Sequence, residues 1–182
     1  VDKVDPQSGT ALEIGSSGDT ITIPSGATIV NSGTQTGFGG VNTPAFEATI
    51  TTEQNPSSGS YTKINFDSEI FDTNNTYDTS NKRFTPGVAG KYFIYCNACV
   101  GSNSNSTLAT AYLATYKNGS LLKKAFYMAT TNYTRYQPMT VGNIIDLDAD
   151  DYVEMYAQIT LQSGTVEIRT AESFFGGYKI IE

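Results

Sequence analysis

The chain of 182 residues has no histidine and no tryptophan, only two cysteines, and 11 Lys and Arg against 18 Asp and Glu. Each shortage excludes something. Without histidine, a Ser or Cys nucleophile lacks its usual base, and the commonest transition-metal ligand is gone. A formal charge of −7 leaves no basic stripe to meet a phosphate backbone, which speaks against nucleic acid. No apolar run approaches the ~20 residues a membrane helix needs, so no membrane insertion is expected. Cys96 and Cys99, if on one strand, stand roughly 10 Å apart, too far for a disulfide; they read as small apolar fillers. The chain opens at Val1 with neither Met nor a secretory signal; processing, loss of the initiator Met and a longer parent all fit.

What is there is β-forming. Twelve Tyr and nine Phe sit among abundant Thr, Ser, Gly and Asn, the composition of an all-β protein with many turns. Between residues 44 and 181 the pattern predicts strands over Pro44–Thr51, Lys63–Phe71 (with Ile64, Phe66 and Ile70), Asn81–Thr85, Lys91–Val100, Leu108–Lys117, Ser120–Met128, Met139–Leu147, Tyr152–Ile159 and Ser173–Ile181. Asn118-Gly119 between two of them is the strongest short hairpin signal. The Lys123–Lys124 pair on the second arm is expected to face water. No helix is predicted, and eight to ten short strands make a sandwich or jelly roll. Along Lys91–Val100, Tyr92, Ile94, Cys96, Ala98 and Val100 share one face while Phe93 and Tyr95 occupy the other. Apolar residues on both faces put the strand deep in a sandwich or under a neighbouring subunit, and in a small two-sheet fold the neighbour is the better reading.

Residues 1–40 differ. The runs Ala11–Ile14, Thr20–Ile23 and Thr28–Val30 alternate with Ser/Gly/Pro turns, and their apolar residues recur every eight or nine positions. One chain cannot bury Leu12, Ile14, Ile21, Ile23 and Ile29 in so short a segment, whereas several chains wound about one axis can. A β stalk is favoured over a Ser/Gly linker, with Gly37-Phe-Gly-Gly40 as a flexible joint.

Asp146, Asp148, Asp150 and Asp151 form the densest acidic group. Oxygen-rich loops suit calcium, but the spacing is not that of an EF-hand, and a solvated turn explains them more simply. Asn74, Asn105, Asn118 and Asn132 begin Asn-x-Ser/Thr triplets, which carry glycans only in a secreted eukaryotic setting. Because antiparallel strands reverse, the loops at 101–107, 129–135 and 162–172 should gather at one end. They carry Asn103, Asn105, Asn132, Tyr133, Arg135 and Gln162, side chains suited to adaptable contact surfaces. No Asp/Glu pair stands out for acid–base work, so an enzyme is not expected; a two-carboxylate glycan depolymerase is the catalytic alternative.

The order of these motifs over about residues 44–181 resembles the C1q/TNF-like jelly-roll family. Ala45-Phe46-Glu-Ala48 is similar to its opening strand, and Phe84-Thr-Pro86-Gly-Val-Ala-Gly90-Lys-Tyr92-Phe93, after Phe71–Asp78, to its central signature. Lys117-Asn118-Gly119 resembles its hairpin and Phe174-Phe175-Gly-Gly-Tyr178 its terminal strand. The resemblance implies a compact homotrimer, with Phe93 and Tyr95 facing the neighbour. It also implies a stalk entering near the C-terminus, which makes the loop cluster the outer tip. No collagen-like Gly-X-Y stem precedes the domain. Instead Val4–Thr10 and Ser17–Thr28 resemble the N-terminal segments of small tail-associated proteins of marine bacteriophages. Together these imply a non-enzymatic trimeric appendage on the virion surface, a tail fibre, spike or head-fibre knob. Residues 1–40 would join other virion proteins, and the knob a host cell-surface receptor or glycan. A purely structural capsid or tail decoration protein and a secreted C1q-like ligand or lectin remain as alternatives.

Overall fold

The structure, a computed structural model, describes residues 9–33 and 42–180. Two compact units divide the chain, Val1–Gly39 and Gly40–Glu182. The second unit contains twelve strands: β1 Ala45–Thr49, β2 Thr62–Lys63, β3 Ser68–Asp72, β4 Tyr77–Asp78, β5 Arg83–Phe84, β6 Gly90–Ser102, β7 Leu108–Lys117, β8 Ser120–Met128, β9 Tyr136–Leu147, β10 Val153–Leu161, β11 Val166–Ile168 and β12 Phe174–Lys179. All pairings are antiparallel, and they form two six-stranded sheets. In the first, β9 flanks β6 on one side, with β12 and β11 on the other, followed by β1 and β3. In the second, β8, β7 and β10 lie in order, and β10 then meets β2 and β5, which pairs β4.

Alternation builds the core. Strand β1 is buried at every second residue, and the inward side chains of both sheets interdigitate, as a two-layer β fold requires. Phe46 lies at the centre, stacked on Phe84 at 4.5 Å and Tyr77 at 5.0 Å, with Phe175 edge-on at 4.9 Å. Buried Tyr77 satisfies its hydroxyl by donating to the Phe66 carbonyl at 2.8 Å, and burial raises its phenol well above the ordinary tyrosine value.

The Asn118-Gly119 hairpin forms where the sequence places it. Both residues have positive φ, 51° and 74°, the backbone of a tight turn whose twist matches the strands. Cys96 points into the core and Cys99 to the other side of β6; both are buried and free. Lys123 and Lys124 are exposed on β8.

The predicted strand Lys63–Phe71 is split. The chain crosses from β2 in one sheet to β3 in the other, and one continuous strand cannot serve both. Ile64 and Phe66 plug the core at the crossing, while Ile70 faces outward, exposed. The short strands β4 and β11 were not foreseen, and β11 lies inside the segment read as a 162–172 loop. Val166, Glu167 and Ile168 there are buried against the end of β6.

Among the described residues, the three runs of 9–33 read as β form no strand ladder with one another. They lie between turns closed by Asp19 N–H to the Ser16 carbonyl (3.0 Å) and Ala27 N–H to the Pro24 carbonyl (3.1 Å). Leu12, Ile14, Ile21, Ile23, Ile29 and Val30 all stand exposed. The Gly37–Gly40 joint and the Val4–Ser8 part of the N-terminal motif lie outside the described residues.

Candidate functional site

Two surfaces of the second unit carry the residues singled out above. The first is the outer face of the β9-β6-β12-β1-β3 sheet. Strand register sets Ile144, Phe93 and Tyr178 side by side in one row, and Gly142, Tyr95, Gly176, Glu47 and Phe71 in the next. Phe93 stands 5.8 Å from Tyr95 and 5.7 Å from Tyr178, and Tyr95 stands 6.2 Å from Phe174.

A glycine explains how the Tyr95 ring lies down. A Cβ on Gly176 would come within 2.5 Å of the Tyr95 ring, so that ring rests in the space of a missing side chain; one on Gly142 would meet Phe93 at 3.4 Å, an ordinary contact. Laid across Gly176, Tyr95 donates to Glu47 Oε2 at 2.8 Å; burial, then that carboxylate, raises its phenol far above the usual value. The result is a flat aromatic face, with Ile144 (67% exposed), Phe174 (38%) and Tyr178 (37%) open to solvent. Phe93 and Tyr95 were read from the sequence; Ile144, Phe174 and Tyr178 were missed as partners on this face. The signal for Ile144 was available, since the alternation that buries Val141 and Ile145 turns Ile144 outward.

The second surface is the end of the sandwich where β6 finishes. It lies about 40 Å along β6 from that strand's start. The loops meet there as the antiparallel reading expects. Ser102 N–H donates to the Arg135 carbonyl (2.9 Å), Asn103 N–H to the Thr165 carbonyl (3.1 Å) and Gln162 N–H to the Thr107 carbonyl (2.9 Å). Arg135 adds Nε to the Ser102 carbonyl at 3.2 Å and Nη2 to the Asn103 carbonyl at 2.5 Å. Asn103, Asn105, Asn132, Arg135 and Gln162 are exposed, and Tyr133 is half-buried. Arg135 and Arg169 both lie over the Tyr136 ring, at 4.9 and 4.8 Å, while the Tyr136 hydroxyl donates to Glu167 at 3.0 Å.

The aspartates do not converge. Among the described residues no three Cys, Asp or Glu side chains group to hold a metal. Asp151 instead clamps the hairpin. Its carboxylate accepts Lys117 Nζ at 2.7 Å, Asn118 Nδ2 at 2.5 Å and Asp148 N–H at 2.8 Å, and the Lys117 contact first of all lowers its pKa to about 2. Asn118 is held at both ends, since its Oδ1 also accepts Tyr152 N–H at 2.9 Å. That leaves its amide engaged rather than free for a glycan. The side chains of Asp146, Asp148 and Asp150 are exposed, and Asp146 and Asp148 join the clamp only through their backbones, the Asp146 carbonyl accepting Lys117 Nζ at 2.9 Å.

A cleft of about 300 Å³ between Pro44, Asn74, Thr76, Pro86 and Val88 contains no titratable side chain and so offers no general acid or base.

The C1q domain model matches residues 45–180. The globular domain of zebrafish complement 1qA superposes with a TM-score of 0.53 at 14% identity, covering 75% of this chain and 97% of that one. Murine APRIL, in its crystal structure at pH 5.0, gives 0.57 at 9% identity, covering 75% and 98%. No curated protein matches the chain in sequence. Domains of the C1q/TNF type are typically non-enzymatic ligand-binding modules, commonly homotrimeric and secreted or extracellular, and nothing among the described residues points to catalysis. No helix among the described residues is long and apolar enough to cross a membrane. With two antiparallel sheets in jelly-roll arrangement and a family match over most of its length, the chain belongs to the C1q domain family.

Proposed function

We propose that the chain is a trimeric, non-enzymatic virion appendage of a bacteriophage. In this reading the C1q-like unit presents its loop end to the host surface and residues 1–40 attach it to the particle. The observation that carries the trimer is the flat aromatic face of the first sheet. Phe93, Tyr95, Phe174 and Tyr178 lie in tilted and edge-to-face contact beside an Ile144 that a monomer leaves in water. The N-terminal unit supports the same stoichiometry from a different direction. Its six exposed aliphatics find apolar partners when copies of the segment lie side by side. The phage setting rests on the likeness of Val4–Thr10 and Ser17–Thr28 to tail-associated segments.

Trimerisation converts a weak contact into adhesion, because a second and third engagement become intramolecular. The residues we assign to that contact are Asn103, Asn105, Asn132, Tyr133, Arg135 and Gln162. Each loop is pinned at its base by main-chain bonds, so these side chains are displayed from fixed positions.

The test is solution mass for the intact chain and for a chain beginning at Gly40, followed by competition of the trimer against phage adsorption. A trimer in both, with adsorption blocked, supports the reading. Monomers in both overturn the assembly, and a trimer that leaves adsorption untouched reduces the role to decoration of the particle. Family membership favours a second reading, a secreted ligand or lectin. It predicts glycans on the exposed Asn105 or Asn132, which intact mass from a eukaryotic host would reveal.

A further inference from the structure

The opposite sheet carries a second aromatic surface that the appendage reading does not use. On its outer face the register sets Tyr156, Ala114 and Lys124 in one row, Glu154, Tyr116 and Leu121 in the next, and Gln158, Tyr112 and Phe126 in a third. Tyr61, beside β2, lies 6.2 Å from both Tyr112 and Tyr116; Tyr116 lies 4.2 Å from Tyr156, and Tyr112 stacks on Phe126 at 4.7 Å. Ala114 points outward yet is 0% exposed because this face is roofed by rings. Five rings thus form a continuous path, and four of them bear hydroxyls.

Charge on this face is uneven. Lys63 is paired with Glu154 at 2.6 Å and Lys117 with Asp151 at 2.7 Å. Lys124 lies 4.6 Å over the Tyr112 ring, exposed, and among the described residues no carboxylate comes within ion-pair reach of it. In a chain of net charge −7, an uncompensated cation leaning over a tyrosine path is a local inversion of sign.

We propose that this face binds an extended acidic polysaccharide. Sugar rings would lie on the tyrosines, and a uronate carboxylate would pair with Lys124. The C–H edges of a pyranose carry partial positive charge and match the negative ring faces of aromatics. Of the four tyrosine hydroxyls, that of Tyr61 is buried and that of Tyr156 donates to Glu154 at 3.3 Å, which leaves those of Tyr112 and Tyr116 to meet the sugar hydroxyls that edge such a chain. The rings pack on one another at 4.2–6.2 Å, so a sugar would meet their combined outer surface, led by Phe126 at 52% exposed. An extended peptide is a poorer occupant, since it gains affinity by pairing with a strand edge and the face of a sheet offers no free backbone groups. A nucleic acid would need many more cations than the single unpaired lysine here.

The site is independent of the phage setting and of the loop end. The experiment is calorimetric titration of the full-length chain with hexamannuronate as the acidic probe and cellohexaose as the neutral one. The acidic hexamer should bind at least tenfold more tightly, with an affinity that falls as salt is raised. Lys124→Gln, at an exposed position, should erase that preference without changing the fold. Tyr112→Ala should weaken both probes at least tenfold, with far-UV circular dichroism verifying its β structure. Asn103→Ala at the loop end should change neither. Absence of hexamannuronate binding, equal affinity for the two probes, or a Lys124→Gln variant that keeps its preference would each overturn the proposal.

Discussion

Replacing Ile144 by aspartate separates folding from assembly more cleanly than any change at the rings. Ile144 sits on β9 opposite Phe93 and is 67% exposed in a single copy, so little of the copy's own stability depends on it. Full burial of an isoleucine side chain contributes about 1.5–3 kcal/mol; covering the exposed two-thirds therefore contributes about 1–2 kcal/mol per copy. Across three copies that is about 3–6 kcal/mol, or roughly two to four powers of ten in the trimer constant. An aspartate adds the cost of drying an unpaired carboxylate, several kcal/mol for each ion. The expected result is a chain that elutes as a monomer at micromolar concentration by light scattering while keeping its β spectrum. If the variant remains trimeric over the same concentration range as the parent, the aromatic face is not the interface and the reasoning fails.

Phe93→Glu should act in the same direction, with a larger loss of melting temperature because Phe93 also packs on Tyr95 and Tyr178; light scattering and thermal melts check both parts. Gly176→Ala puts a methyl where the Tyr95 ring lies, so the Tyr95–Glu47 bond should break and ultraviolet titration should find the Tyr95 phenol closer to the ordinary tyrosine value. The Asp151 carboxylate has a folded pKa of about 2, below its unfolded value of 3.8. It therefore stabilises the fold above pH ~4, by about 1–2 kcal/mol, and that contribution is lost as pH falls from ~4 to ~2. Asp151→Asn should accordingly be less stable at neutral pH and lose less than the parent between pH 4 and 2, read from urea unfolding at each pH. Phe46→Ala removes a ring packed on three others and should cost about 3–5 kcal/mol by the same unfolding assay.

Much of the sandwich was legible because period-two burial writes itself into sequence. Tyr92, Ile94, Cys96, Ala98 and Val100 are all inside, and Asn118-Gly119 turns the chain where its dihedral needs dictate. What hid was structure made by exceptions to alternation. Ile64 and Phe66 have strand-like spacing but fill the gap where the chain changes sheets, a fact of topology that no window of ten residues contains. Strands of two or three residues, such as Tyr77–Asp78 and Val166–Ile168, are too short to show a period. The aromatic face was half-legible. Phe93 and Tyr95 announce themselves by facing away from a buried row, whereas Ile144 and Tyr178 join them only through register between distant strands. The tyrosines of the other sheet went unread for the same reason, being scattered from Tyr61 to Tyr156 and collected only by pairing.

The loop end has a consequence for how such a protein changes over generations. Its crossings are fastened by backbone groups, Ser102 to Arg135, Asn103 to Thr165 and Gln162 to Thr107, and these bonds are indifferent to side-chain identity. Between the fastenings, the exposed Asn105 can mutate without moving a strand, whereas Asn132, at φ 53°, sits in the left-handed region that favours Asn or Gly. Selection can therefore rewrite the side chains this end displays one residue at a time, with the sheets beneath serving as an unvarying chassis.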